Sequence, residues 1–228
     1  MFVNNLEIAV EHKNIKNLHL SVYPPDGRVR VSAPLLYPNE SIRLYVLQKW
    51  SWILEKQDKV RAYSVQPERE YVSGEAHFFK GYCYRLKVIR GVAGKRRVEK
   101  NNDYLNLYVK EVDDKNVCEK VLYDFYKREL SPILNGYIEK WTKVLNVSAS
   151  AFKIQKMKTR WGSCNPEKKT LLFNTELAKK DLNCIEYVVL HEAAHLIERT
   201  HNERFKSILD RYMPDWEDRK RTLNERSI

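Results

Sequence analysis

The sequence predicts an α+β protein with a strand-rich N-terminal lobe, residues 1–112, and a helix-rich C-terminal lobe, residues 113–228. Short segments with partial alternation of apolar and polar residues fill the first lobe, whereas most of the second lobe has helical patterns. The 228 residues are 43% hydrophobic and include 14 Tyr and 5 Trp, so the chain can bury a core. This composition excludes disorder over most of the length.

Six strands and one helix are predicted in the N-terminal lobe. The helix begins at Pro38 and ends at about Ala62, because apolar residues recur there at the spacing of one helix face. The segment Pro24–Gly27 predicts a turn, and the basic residues 91–97 predict a hairpin loop between the last two strands. The predicted strands are Leu6–Val10, Asn17–Tyr23, Arg28–Ala33, Ala76–Phe79, Cys83–Arg90 and Tyr104–Val109.

The C-terminal lobe begins with a long predicted helix, Asn116–Leu145, in which Pro132 and Gly136 predict an irregularity. Two strands, Ala151–Met157 and Thr170–Asn174, follow this helix and are joined by a loop. About the last fifty residues are predicted to be helical. The sequence has no obvious flexible linker between the two lobes.

Charge and cysteine content limit the class of protein. The formal net charge of +11 leaves two interpretations open, a solvated basic surface or a basic groove for phosphates or nucleic acid. The four cysteines are too far apart in sequence for a cysteine zinc knuckle or a dense disulfide framework. Charged residues interrupt the first twenty positions, and no apolar run approaches the ~18 residues of a membrane span. We therefore expect a reduced, cytoplasmic protein that does not enter a membrane.

The strongest functional signal is the H-E-x-x-H motif at residues 191–195, which follows an apolar run. Residues four apart lie only ~40° from each other around a helix, so His191 and His195 can reach one tetrahedral Zn²⁺ ion. Glu192 would lie beside that ion and take a proton from its bound water. Burial of these three side chains without partners is costly, which favours a metal over a purely structural role. Asn183 and Glu186 predict a capping box at the start of the helix.

A catalytic zinc needs a third protein ligand, and His201 is the nearest candidate. On a straight helix His201 would lie roughly 120° away from the first two histidines, so the helix must end before it and the chain must reverse. Thr200 and Glu203 form a second predicted capping box, which would start a new helix there. Metzincin proteases have glycine at the position of Glu198, so another residue must form the turn here. Glu217 and Glu198 are the rival third ligands, and iron, nickel or cobalt could replace zinc.

Sequence blocks outside the histidine motif carry a family resemblance. They are Arg160–Cys164, Leu172–Asn174, Tyr187–Glu192, Asn202, Phe205, Pro214–Trp216 and, in the N-terminal lobe, Pro25–Gly27, Trp52–Ile53 and Gly74–Glu75 ahead of Gly81 and Tyr84. Together with the histidines they resemble the YgjP-like metallopeptidase domain family, which is related to the SprT-like and WLM zinc proteases. The resemblance spans nearly the whole chain. It implies a zincin-like helical catalytic core with three zinc ligands (His191, His195 and His201) and Glu192 as the general base.

Three further residues are candidates for substrate binding. The loop at residues 158–164 and the strand Thr170–Asn174 are predicted to form a wall of the zinc cleft. Arg160 in this loop suits a substrate carboxylate or phosphate, and its alternative role is an ion pair with a structural acid. Asn174 and Tyr212 complete the candidate set, and either Arg160 or Tyr212 is the candidate partner for the oxyanion.

Peptide-bond hydrolysis is the function that these residues favour, with Glu192 taking the proton of the zinc-bound water and returning it to the leaving amine. An extended peptide would pair with the edge of the strand Thr170–Asn174. One alternative, consistent with the description of some bacterial family members, is a pyrophosphatase that acts on uridine triphosphate. A basic surface including Lys153, Lys156, Lys158 and Arg160 would then cradle the phosphates. A third hypothesis is a basic nucleic-acid-binding module with structural histidines, which steep salt dependence would reveal.

Overall fold

A computed structural model describes residues 1–23, 26–63 and 69–224. Pro24 and Pro25 of the predicted turn lie outside these residues. The chain forms two compact units, Met1–Arg69 and Glu70–Ile228, and each has its own hydrophobic core. This division differs from the predicted boundary near residue 112, because the strands that follow residue 70 share a core with the long helix after them. The predicted α+β class is confirmed.

The first unit contains a four-stranded sheet and two helices. The strands are β1 (Phe2–Val3), β2 (Leu6–Lys13), β3 (His19–Tyr23) and β4 (Arg28–Pro34), in the order β1-β2-β4-β3. β2 and β4 are parallel, and β3 is antiparallel to β4. The single helix predicted after residue 38 is two helices, α1 (Asn39–Gln48) and α2 (Trp50–Tyr63). The predicted apolar face persists across the break, since Ile42, Val46 and Ile53 are buried.

A second four-stranded sheet opens the second unit. Its strands are β5 (Ala76–Phe79), β6 (Tyr82–Ile89), β7 (Arg97–Asn101) and β8 (Tyr104–Tyr108), in the order β5-β6-β8-β7. β6 is parallel to β8, and β7 is antiparallel to β8. The predicted hairpin loop at residues 91–97 is therefore wrong, because β8 lies between the two strands that this loop connects. β7 was missed because its sequence, R-V-E-K-N, has one apolar residue.

The long helix α3 (Lys115–Leu145) provides much of the core of this unit. Asp114 caps its first turn by accepting a hydrogen bond from the Val117 backbone N–H (2.9 Å), and Asn146 ends it in the left-handed conformation. The helix continues through Pro132, where an irregularity was expected, because its buried stripe packs on both sides of that residue. The stripe consists of Cys118, Leu122, Phe125, Tyr126, Leu130, Leu134, Ile138, Trp141 and Leu145.

A three-stranded sheet follows α3. Its strands are β9 (Ala151–Gln155), β10 (Gly162–Asn165) and β11 (Thr170–Asn174), in the order β10-β11-β9. β10 is antiparallel to β11 and β9 is parallel to it. β10 lies inside a predicted loop, because its sequence, G-S-C-N, has no alternating apolar pattern. β11 is therefore the central strand, and β10 forms one edge of the sheet.

The C-terminal part is helical, as predicted. It consists of a 3-10 helix (Thr175–Lys179) and the helices α4 (Leu182–Ala194), α5 (Glu203–Tyr212) and α6 (Trp216–Asn224). The capping box predicted at Asn183 is wrong, because Asp181 caps α4 by accepting a hydrogen bond from Cys184 N (2.8 Å). Glu186 instead binds Lys140 (2.5 Å) and Arg219 (2.8 Å). Within the described residues, no helix combines the length and apolar character that a membrane crossing requires.

Candidate metal centre

Helix α4 fixes the positions of the first two histidines. Ten of its thirteen residues are buried, so the helix is anchored in the core of the second unit on most sides. His191 lies in its last turn, and His195 is the residue at which it ends. The two side chains consequently face the same side, and their ring centroids are 5.0 Å apart.

The chain reverses immediately after α4 and brings His201 back toward the helix. Glu198 stabilises this turn, since its carboxylate accepts hydrogen bonds from the backbone N–H (3.3 Å) and hydroxyl (3.1 Å) of Thr200. No residue from His195 to Asn202, all of which the structure describes, has a positive φ. The glycine of metzincins is therefore not needed for this turn. The capping box predicted at Thr200 is wrong, because Asn202 caps α5 and His201 precedes it.

The structure brings His191, His195 and His201 together. One ring nitrogen from each lies within 4.8 Å of the other two, and the Nε2 atoms of His191 and His201 are 3.0 Å apart. Three nitrogens bound to one tetrahedral zinc ion are separated by about 3.4 Å, so this set fits zinc after small side-chain adjustments. Phe205 of α5 packs against all three rings, with centroid distances of 4.6 to 5.0 Å. Glu198 and Glu217, the rival ligands, are not part of the cluster that the described residues form.

Hydrogen bonds on the opposite ring nitrogens orient two of the histidines. His195 Nδ1 lies 3.0 Å from the carbonyl oxygen of Glu198, which can only accept, so this nitrogen carries the proton and Nε2 is left as a ligand atom. His191 Nδ1 lies 3.4 Å from the hydroxyl of Tyr187. Burial, with the two neighbouring histidines, lowers the pKa of His191 to about 3. The imidazole is therefore neutral, which is the form that binds a metal.

Glu192 lies beside this cluster and is only 5% exposed. Burial raises the pKa of its carboxyl group to about 8, and the positive charge of Arg160 opposes this increase. A raised pKa makes the ionised carboxylate a stronger base than that of an ordinary glutamate, which suits a group that accepts and returns a proton during catalysis. The backbone of β10 packs directly on the carboxylate, because a Cβ atom at Gly162 would come within 2.6 Å of its Oε1 atom. Sequence reasoning assigned Gly162 no such role, since 30 positions separate it from Glu192.

Replacing Gly162 with alanine is expected to displace the Glu192 carboxylate. The added methyl group would come within 2.7 Å of the Glu192 Cγ atom as well, so either strand β10 or the Glu192 side chain must shift. We expect at least tenfold lower turnover at unchanged metal content, since a ~1 Å displacement costs about 10²-fold. Gly136→Ala in α3 is the matched control, because nothing lies within 4 Å of its new Cβ. Equal turnover of both variants would show that the close approach of Gly162 to Glu192 is irrelevant to catalysis.

The histidines and Glu192 open into a cleft of about 470 Å³. Arg160 lies in its lining, although its role in substrate binding stays a prediction, and Arg199 adds a second guanidinium group that sequence reasoning did not identify. Cys164 also lines the cleft, but burial and the Glu192 carboxylate raise the pKa of its thiol to about 11, which disfavours a nucleophilic thiolate. The rest of the lining is Gly162, Ser163, Asn165, Pro166 and Glu167.

The other two candidate substrate-binding residues are not in this lining. Asn174 is buried, and its amide donates hydrogen bonds to the carbonyl groups of Met157 (2.9 Å) and Arg160 (2.8 Å). It therefore holds the loop before β10 in place, which makes it a positioning residue. Tyr212 is half-buried at the end of α5, where the guanidinium of Arg211 lies 5.3 Å from its ring centroid. The cleft lining that the described residues form includes neither side chain.

Two solved structures and one protein family are similar to this chain. Two solved structures resemble part of the chain: the metallopeptidase zymogens jannalysin of Methanocaldococcus jannaschii (22% identity) and abylysin of Pyrococcus abyssi (19% identity). Both have a TM-score of 0.37 and cover 42% of this chain, with 90% and 98% of their own chains covered. No curated protein matches. The YgjP-like metallopeptidase domain matches residues 16–226, which is most of the sequence. The family resemblance is confirmed, and this chain belongs to the YgjP-like metallopeptidase domain family of hydrolases.

Proposed function

We propose that this protein is a zinc-dependent peptidase in which His191, His195 and His201 hold the metal and Glu192 is the general base. The observation that carries the proposal is the convergence of three ring nitrogens within 4.8 Å, beside a buried carboxylate and facing a cleft. Three imidazoles with an open fourth position are a ligand set of catalytic zinc sites. Family membership supports the same reaction class.

Zinc, when bound, supplies a Lewis acid that polarises the scissile carbonyl group and lowers the pKa of water. The Glu192 carboxylate accepts a proton from the attacking water and returns it to the leaving amine. Its burial and its packing on Gly162 restrict it to one position beside the histidines. Arg160 lies close enough to influence the pKa of Glu192, and its guanidinium can orient a carboxylate or carbonyl group of the substrate.

The substrate is proposed to bind as an extended strand along β10. The sequence had indicated pairing with β11, but β11 lies between β10 and β9 and has both of its edges occupied. None of the described residues pairs with the outer edge of β10, and this strand lines the cleft. Backbone hydrogen bonds to an edge strand hold a peptide regardless of its side chains, and they place its scissile bond at a fixed distance from the histidines.

Uridine triphosphate hydrolysis is the second candidate, because Arg160 and Arg199 both line the cleft and guanidinium groups bind phosphate. The lysines that were expected to complete a phosphate cradle do not line it. Lys156 pairs with Glu119 (2.5 Å) on a different surface, and neither Lys153 nor Lys158 is in the described lining. This distribution of charge favours a peptide over a triphosphate.

Turnover assays distinguish the two substrates. We expect the zinc-loaded protein to cleave members of a mixed peptide library, with the products read by mass spectrometry, and to leave uridine triphosphate intact. Peptide cleavage should stop when a chelator removes the metal and should return when zinc is added. Release of pyrophosphate or phosphate from uridine triphosphate without any peptide cleavage would overturn the peptidase proposal but retain the metal site.

A further inference from the structure

A surplus of positive charge lies in the segment that forms β5, β6, β7 and β8 with their connecting loops, although Arg96 of this segment pairs with Asp113 just beyond it. Residues 76–110 contain nine lysines and arginines but only two acidic residues, a surplus of seven within a net charge of +11. The segment is less than one sixth of the chain. Such a local surplus of positive charge attracts a polyanion. The surplus lies in a part of the chain that the proposed hydrolytic site does not use.

This sheet has one buried and one outward face. Side chains on alternate positions of its strands enter the core that includes α3, and they are Phe79, Tyr84, Leu86, Val98, Leu105 and Leu107. The remaining positions face outward, and three aromatic and three cationic side chains are among them: Phe78, Arg85, Lys87, Arg97, Tyr104 and Tyr108. Cys83, Ile89 and Asn106 also lie on this outer face, and its acidic residue, Glu99, pairs with Arg97 (2.7 Å).

Two arginine–tyrosine pairs lie on the outer face, one at each end of β8. Arg85 of β6 is opposite Tyr104 of β8, and Arg97 of β7 is opposite Tyr108 of β8. The Arg97 guanidinium lies 4.1 Å from the centroid of the Tyr108 ring. Tyr104 is 47% exposed, so its ring is accessible on this face. Four residues separate the two tyrosines, or about 13 Å along β8.

We propose that the outer face of this sheet binds single-stranded nucleic acid. Tyrosine rings on the accessible face of a sheet stack with unpaired bases, and nearby arginines and lysines bind the phosphates between them. A separation of about 13 Å suits two bases of an extended single strand that have one nucleotide between them. Paired bases in a duplex do not expose their faces, so the surface discriminates against double strands. This inference does not depend on the proposed peptidase activity.

Fluorescence anisotropy with labelled twelve-nucleotide oligo(U) and oligo(dT) tests the proposal on the full-length protein. Tyr104→Ala is expected to weaken binding about tenfold, whereas Tyr104→Phe should retain it, because stacking needs the ring and not the hydroxyl. Lys87→Ala is expected to reduce the slope of log K against log salt concentration by about 0.7, the value for one phosphate contact with a single strand. Comparison of the two oligonucleotides shows whether RNA or DNA is preferred.

The double variant Tyr23→Ala/Arg30→Ala is the matched control, because Arg30 lies 4.9 Å from the Tyr23 ring centroid on the separate sheet of the first unit. It is expected to bind like the wild type. The proposal is overturned if neither oligonucleotide binds, if a hairpin duplex binds as tightly as the single strands, or if the control weakens binding as much as Tyr104→Ala. Binding to anionic lipid vesicles without binding to the oligonucleotides would likewise contradict it. Circular dichroism melting curves identify any variant that has lost its fold.

Discussion

Replacing Glu192 with glutamine is expected to reduce kcat for peptide cleavage by about 10²–10⁴-fold while the zinc content stays at the wild-type level. The amide has the size of the carboxylate and fits against Gly162, but it cannot accept the proton of the attacking water. Glu192 is separate from the three-histidine cluster, so the metal should remain bound. The two quantities to measure are single-turnover cleavage rates and zinc content by mass spectrometry.

The control for this variant is Glu203→Gln, which removes an exposed carboxylate that pairs with Lys206 (2.7 Å) on α5. We expect it to cleave peptides at the wild-type rate. If the Glu192 variant also cleaved at the wild-type rate with zinc bound, the general base would have to be another group. A loss of both zinc and activity would instead show that Glu192 contributes to metal binding.

Replacing His201 with alanine is expected to weaken zinc binding by more than about 100-fold. Loss of a group that merely orients a ligand already costs roughly 10–100-fold in metal affinity, and here a ligand itself is removed. His201 is exposed and lies before α5, so its truncation should leave the fold intact. Competition with a chromogenic chelator measures the dissociation constant, and a melting curve of the metal-free protein checks the fold.

His19→Ala serves as the control, because His19 is exposed in β3 of the first unit, outside the histidine cluster. It should bind zinc like the wild type. Equal zinc affinities of the two variants would exclude His201 as a ligand and would direct attention to an acidic residue, the alternative that the sequence left open.

The histidine cluster could be predicted from sequence because its geometry follows from local spacing. His191 and His195 are four residues apart on one helix, and His201 required only that the chain reverse. The residues that support the cluster could not be derived in the same way. Phe205 packs on all three rings and Gly162 abuts Glu192, and both contacts depend on how separate elements pack. The family resemblance included these two positions, but gave no reason for them.

The elements that sequence analysis missed or misplaced have a common physical cause. β7 and β10 have few apolar residues, so the period-two signal of a half-buried strand is absent. Both predicted capping boxes are wrong because a nearby residue caps each helix instead. Asp181 lies two positions before Asn183, and Asn202 lies two positions after Thr200. Local pattern identifies a helix well, but neighbouring residues with the same capping ability compete for its first turn.

X-ray absorption spectroscopy of the zinc-loaded wild-type protein tests most directly whether a single ion joins the three imidazoles. We expect three imidazole nitrogens at about 2.0–2.1 Å, with the multiple-scattering pattern of histidine rings. A sulfur scatterer at about 2.3 Å, or fewer than three imidazoles around the metal, would contradict the proposed centre and the peptidase function that depends on it.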